Sequence, residues 1–141
     1  MIDYEAFAGL KERLLAENEE KYKNELIALY GETRLKRARE HFAALTPEEF
    51  ARAEKLAVDF TNALMDAASA GDPACEAARE ACSIHREWLA IYWGKETLVP
   101  EAHLGLAELY CKDSRFAENM EALAEGRAEF FKKALTLYYD V

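Results

Sequence analysis

Apolar residues recur at spacings of three and four along almost the whole chain, and no interval shows the strict alternation of a half-buried strand. This pattern predicts a nearly all-helical protein. From about Asp3 to Tyr30 the stripe is Tyr4, Phe7, Leu10, Leu14, Leu15, Leu26, Ile27 and Tyr30, with Gly31 as a stop. Its middle, Glu17 to Lys23, is almost wholly polar, so that stretch buries little and is free to fray or move. A shorter helix follows from Glu32 to Ala44, with Leu35 and Phe42 inward. Thr46-Pro47-Glu48-Glu49 then combines an N-cap, a proline at the first helical position and a capping-box glutamate. The helix it opens carries Phe50, Leu56, Ala57, Phe60, Leu64 and Met65 and ends near Gly71. Asp72-Pro73 repeats the same start logic for a fourth helix, from Ala74 to about Trp93.

On this fourth helix Ala78, Cys82, His85, Leu89 and Tyr92 form one stripe, and Ala81, Ile84, Trp88 and Ile91 form a neighbouring one. The apolar arc is wider than a surface helix needs, which predicts a central position. Gly94 breaks the helix, Lys95 to Val99 forms a loop, and Pro100 starts a fifth helix through Leu104, Leu106, Leu109 and Tyr110. Asp113-Ser114 offers a cap for a short helix with Phe116, Met120 and Leu123, and Gly126 separates it from a last helix, Arg127 to about Tyr139. The 141 residues make one domain, with no internal repeat.

Composition narrows the function. Eighteen basic and 27 acidic side chains give a net charge of −9, which argues against a phosphate-binding surface and so against direct contact with nucleic acid. No apolar run reaches the roughly 18 residues of a membrane span, and the start of the chain has no basic n-region or h-region, so the expected address is the cytoplasm. Cys75, Cys82 and Cys111 show no CxxC spacing and fit reduced thiols better than a disulfide framework.

The chain lacks the signatures of several chemistries: HExxH, the paired-carboxylate ExxH, GxGxxG, a Walker loop and GxSxG. Cys82 and His85 are three apart on one helix face, which suits a thiolate with a base or two metal ligands, yet a free cysteine more often packs as a small apolar side chain. No enzyme, metal or cofactor is expected. Trp88, Tyr92 and Trp93 cluster at the end of the fourth helix and read either as core or as one wall of a ligand cleft. His85 and His103 lie among apolar neighbours and read first as satisfied interior histidines, second as ligand contacts; His41, beside Arg39 and Glu40, reads as surface. The charge-rich first helix reads as a solvated face, with a docking surface for a partner or a second copy as the alternative.

His85-Arg86-x-Trp88 with Tyr92-Trp93, then Pro100-Glu101-Ala102-His103-Leu104-Gly105-Leu106-Ala107-x-x-Tyr110, then Asp113-Ser114-Arg115-Phe116 and the helix from Gly126 to Tyr139, together resemble the TipAS antibiotic-recognition domain. Tyr30-Gly31, Thr46-Pro47-Glu48-Glu49-Phe50 and Leu64-Met65 extend the likeness over nearly the whole chain. Their order and spacing, rather than any one piece, make it specific. The resemblance implies a globin-like bundle of about six to seven helices without haem. It also implies a drug-sensing or drug-sequestering module for thiopeptides and other bulky, aromatic, peptide-like antibiotics, often fused to a winged helix of the MerR-type regulators. Residues 1–45 would then form an N-terminal lid that orders on binding, in keeping with the polar middle of the first helix.

Carried over residue by residue, the resemblance implies that Trp88, Tyr92, Trp93, His103, Tyr110 and Phe116 line the ligand site, with His85 in support. Asp113 and Arg115 match the pattern too, but a helix cap and a helix-start anchor account for them. One departure bears on mechanism: members that trap thiopeptides covalently present a cysteine two residues after the histidine of the fifth helix, and that position is Gly105. Binding should therefore be reversible. The expectation is a small-molecule binder, either free-standing or a sensor working with a fused or separate DNA-binding domain, and the alternative is a protein-interaction or homodimerisation module.

Overall fold

The structure, a computed structural model, describes residues 7–16, 32–94, 98–112, 123 and 127–140. Among these residues there are six helices and no strand: α1 over 7–16, α2 Glu32–Ala43, α3 Pro47–Ala70, α4 Glu76–Trp93, α5 Pro100–Lys112 and α6 Arg127–Tyr139. The fold is all-α, as the periodicity requires. The expected helix around Phe116, the Glu17–Lys23 stretch and most of the 95–99 loop lie outside the described residues; Leu123 is helical and buried.

Local chemistry sets the boundaries. The Thr46 hydroxyl accepts from the Glu49 amide at 3.1 Å and the Glu49 carboxylate accepts from the Thr46 amide at 3.0 Å, so the capping box closes in both directions and α3 starts at Pro47. Gly71 ends that helix in the left-handed region at φ 73°, returning its amide to Ala67 and Ala68. The next start departs from expectation. Asp72 does not cap a helix at Pro73; its carboxylate takes the Ala74 amide at 2.9 Å, its carbonyl takes the Cys75 amide, and the chain completes a turn before α4 begins at Glu76. An aspartate that bonds two residues on competes with helix entry, and in this turn it wins.

α4 runs through the middle, packed most extensively along α3 and also against α2 and α6, while α5 pairs with α6. Ala78, Ala81, Cys82, His85 and Leu89 are its buried positions, drawn from both predicted stripes. The central contacts are Phe60, Leu64, Leu89, Leu106, Leu123, Phe131 and Leu135. Alanines at 53, 63, 67, 78 and 81 let α3 and α4 approach closely. Met65 turns outward at 44% exposure, its place in the interface taken by Ala63, Leu64 and Ala67. His41 is half-buried rather than on the surface: a Cβ on Gly94 would lie 3.0 Å from its Nδ1, so the glycine that ends α4, at φ 84°, is also the one residue type that fits beneath the ring.

Candidate functional site

The aromatic residues of α4 divide into a buried layer and a rim. In the layer, the His85 and His103 rings are fully buried and lie edge to edge in nearly parallel planes, within 8°, with centroids 4.9 Å apart. His85 Nδ1 meets His103 Nε2 at 2.8 Å, His85 Nε2 meets the Tyr110 hydroxyl at 3.1 Å, and His103 Nδ1 meets the Tyr139 hydroxyl at 2.6 Å. All four ring nitrogens have partners within the protein. Phe131 of α6 packs on His85 at 4.8 Å and Phe60 of α3 on the same ring at 4.9 Å, closing the layer from two further sides.

Burial keeps both histidines neutral. It holds His85 well below the ordinary imidazole value, with His103 beside it adding to the effect, and it lowers His103 to about 3, with the Arg86 charge adding to it. Cys82, also fully buried, is pushed up to about 12 by loss of hydration. A thiol in that range supplies no thiolate at neutral pH, which removes the nucleophile from the Cys82–His85 pair. No group of three or more metal-ligating side chains occurs among the described residues.

The rim starts one turn further along α4. Trp88 touches His85 on one side, at 5.3 Å, and meets Tyr92 edge to face at 5.1 Å on the other. Tyr92 in turn touches Phe42 of α2 at 5.4 Å and Phe50 of α3 at 6.3 Å, and Phe50 is capped edge-on by Phe7 of α1 at 5.5 Å. Trp88, Tyr92 and Trp93 are half-buried, with flat apolar surface still reaching outward. Partial burial, then the Glu54 charge, raises the Tyr92 hydroxyl to about 12, so it stays a neutral donor.

Two side chains fasten α1 to α2 and the residues just after it. The Lys11 ammonium donates to the Ala43 carbonyl at 2.7 Å and to the Leu45 carbonyl at 2.8 Å, meeting the negative end of α2. Arg39 donates back to the Leu15 carbonyl at 3.1 Å.

Of the residues singled out from sequence, His85, His103 and Tyr110 are brought together in the buried layer, Trp88 and Tyr92 meet at the rim, Trp93 packs half-buried against the core at the end of α4, and Phe116 lies outside the described residues. Phe7, Phe42, Phe50, Phe131 and Tyr139 join them and were not singled out. Phe50 had a signal, since it holds the fourth helical position after the Thr46 cap, where a hydrophobic staple places an apolar side chain. Tyr139 had none, because its partner His103 is 36 residues away.

The TipAS antibiotic-recognition domain matches residues 22–138 of the chain. The chain belongs to this family. Two relatives are HTH-type transcriptional activators TipA, one from Streptomyces coelicolor and one from Streptomyces lividans, each 29% identical over 118 residues that cover 82% of this chain and 46% of the relative. The TipAS-family domain thus spans about half the length of the curated relatives it matches. No solved structure matches it, so the globin-like arrangement rests on the resemblance alone. Among the described residues no helix is long and apolar enough to cross a membrane.

Proposed function

We propose that this TipAS-family domain binds bulky aromatic or peptide-like antibiotics of the thiopeptide kind, reversibly and without catalysis, on the rim formed by Trp88, Tyr92 and Trp93. The observation that carries the reading is the half-buried ring cluster in which Tyr92 meets Trp88, Phe42 and Phe50, and Phe50 meets Phe7, bringing the end of α4 against α1, α2 and α3. Such a face offers apolar area to a flat ligand while its tyrosine keeps a polar handle. Phe116 completes the lining in this reading, and His85, His103 and Tyr110 support Trp88 from beneath. Residues 1–45 act as a lid whose ordering is offset by the area buried. The domain works as a cytoplasmic drug sensor or sequestering module, needs no cofactor, and reaches DNA only through another module, fused or separate.

The test is a titration with a panel of thiopeptides and other aromatic peptide antibiotics, following tryptophan fluorescence of the wild-type domain and of Trp88→Ala. A saturable change that is lost or much weakened in Trp88→Ala is the expected result. No response to any of the panel would overturn the function, and an unaltered response in Trp88→Ala would move the site elsewhere. Amide exchange in residues 1–45 should slow on binding; equal exchange with and without drug would remove the lid.

A further inference from the structure

Tyr110 of α5, His85 of α4, His103 of α5 and Tyr139 of α6 are joined in one hydrogen-bonded chain through contacts of 3.1, 2.8 and 2.6 Å. Each ring nitrogen meets a hydroxyl or another imidazole, so no carboxylate holds a proton on either ring. Among the described residues, the titratable and charged groups around the chain include Cys82 and Arg86 on α4, Tyr110 on α5, and Tyr138 and Tyr139 on α6, while α3 faces it with the Phe60 ring. Both imidazoles are therefore neutral, each with one N–H and one bare nitrogen. A first extra proton would keep the contacts but bury a charge without a counter-charge, and a second would set two N–H groups against each other across the 2.8 Å gap.

Hydrogen counting restricts the neutral chain further. The gap between His85 Nδ1 and His103 Nε2 holds one hydrogen. If it belongs to His85, then His103 carries its own on Nδ1; if it belongs to His103, then His85 carries its own on Nε2. Both rings are thus the same tautomer at any moment, and the hydrogen bonds run either from Tyr110 towards Tyr139 or all the other way.

The geometry points to a concerted tautomer switch, in which Tyr139, at the half-buried end of the chain, sets which nitrogen carries the proton on both buried rings and so the polarity of the ring against which Trp88 packs. In this proposal the positive charge of Arg86, which bears on Tyr139, favours lone pairs turned towards it and the hydroxyl hydrogen turned inward to His103 Nδ1. The resting arrangement is Nε2–H on both rings. A group that accepts a hydrogen bond from Tyr139 reverses it. The device links the C-terminal helix to the aromatic rim, and the hydrogen count behind it is independent of what the rim binds.

Nitrogen-resolved NMR of the histidine-labelled domain reads the tautomers directly. The wild type is expected to show Nε2–H on both His85 and His103, and one tautomer of each kind, or a charged ring at neutral pH, would overturn the switch. The two ends give opposite tests, because a buried N–H without a partner is tolerated less well than a bare ring nitrogen. Tyr110→Phe should move both protons to Nδ1, and Tyr139→Phe should leave both on Nε2. Movement of one proton alone, or of neither, in Tyr110→Phe would overturn the proposal. Should Tyr110→Phe not fold, unlike tautomers in the wild type or in Tyr139→Phe would do the same.

Discussion

His85 and Trp88 stand one turn apart on α4 and touch each other, yet their surroundings differ in kind. Around His85 every polar atom is paired, Phe60 and Phe131 close the sides, and three further helices contribute. Around Trp88 and Tyr92 the neighbours are rings from α2 and α3, and α1 is fastened nearby by side chains donating to carbonyls. A closed polar layer resists change, since opening it would leave buried donors and acceptors without partners. Ring contacts carry no such obligation, so the rim can exchange an internal ring for a ligand ring at little cost. The proposed division of labour follows from that difference: the histidine layer holds α4, α5 and α6 together, and in the proposed function recognition falls to the rim.

The contrast breaks most visibly at Phe131, which is fully buried and touches His85, His103, Tyr110 and Phe60. Phe131→Ala should lower stability by about 3–5 kcal/mol, a large part of what a domain has, as read from the urea midpoint. A loss below about 1 kcal/mol would show that the layer is not what holds the helices together. Acid should act on the same place. Both histidines are neutral in the folded domain, His103 down to about 3, whereas in the unfolded chain they take up protons near 6.5. The unfolded state binds more protons below 6.5, so stability is complete above that pH and falls as pH drops towards 3. Each histidine contributes a slope of up to about 1.4 kcal/mol per pH unit. Replacing His103 by Leu should flatten the dependence whatever it does to the midpoint at pH 7, and an unchanged slope would place the acid sensitivity elsewhere.

The layer and the rim were unequally legible in the sequence. The 3.6-residue period and the Thr46–Glu49 box placed α2 to α6 within a residue or two, because those signals are local. Asp72-Pro73 misled, since the same side chain that caps a helix can also close a turn, and only the following backbone decides which. His85 and His103 were recognisable as interior, but their mutual contact was not, for they are 18 residues apart on helices whose rotation no local pattern sets. Phe7 and Phe42 were visible as apolar positions, with nothing to say that both would converge, through Phe50 and Tyr92, on the end of α4. His41 shows the opposite error, since charged neighbours in sequence suggested solvent and the Gly94 backbone turned out to cover it.

At the rim the order of effects should invert. Tyr92→Ala removes contacts to Trp88, Phe42 and Phe50 from a half-buried position. Its expected stability loss is about 1–2 kcal/mol, while affinity for a thiopeptide that binds the wild type should fall about 10- to 30-fold by calorimetric titration. A variant that loses stability on the scale of Phe131→Ala and keeps its affinity would make Tyr92 part of the structural layer and erase the distinction.

The smallest effect tests how loosely the rim is fastened. Lys11 reaches two carbonyls at the end of α2 and loses both bonds in Lys11→Met, which keeps much of the side chain's apolar length. Bonds of a charged donor near the surface contribute about 1 kcal/mol between them. That amount belongs to the docking of α1 and not to the α3–α6 core, so the urea midpoint of the domain should stay where it is. Amide exchange over 7–16 should instead speed up roughly fivefold, as expected when local opening becomes easier by about 1 kcal/mol. The wild-type protection of the same segment should weaken with added salt, since the bond is charged and partly exposed. If Lys11→Met lowers the global midpoint, α1 unfolds together with the core, and the rim is as firmly built as the histidine layer beneath it.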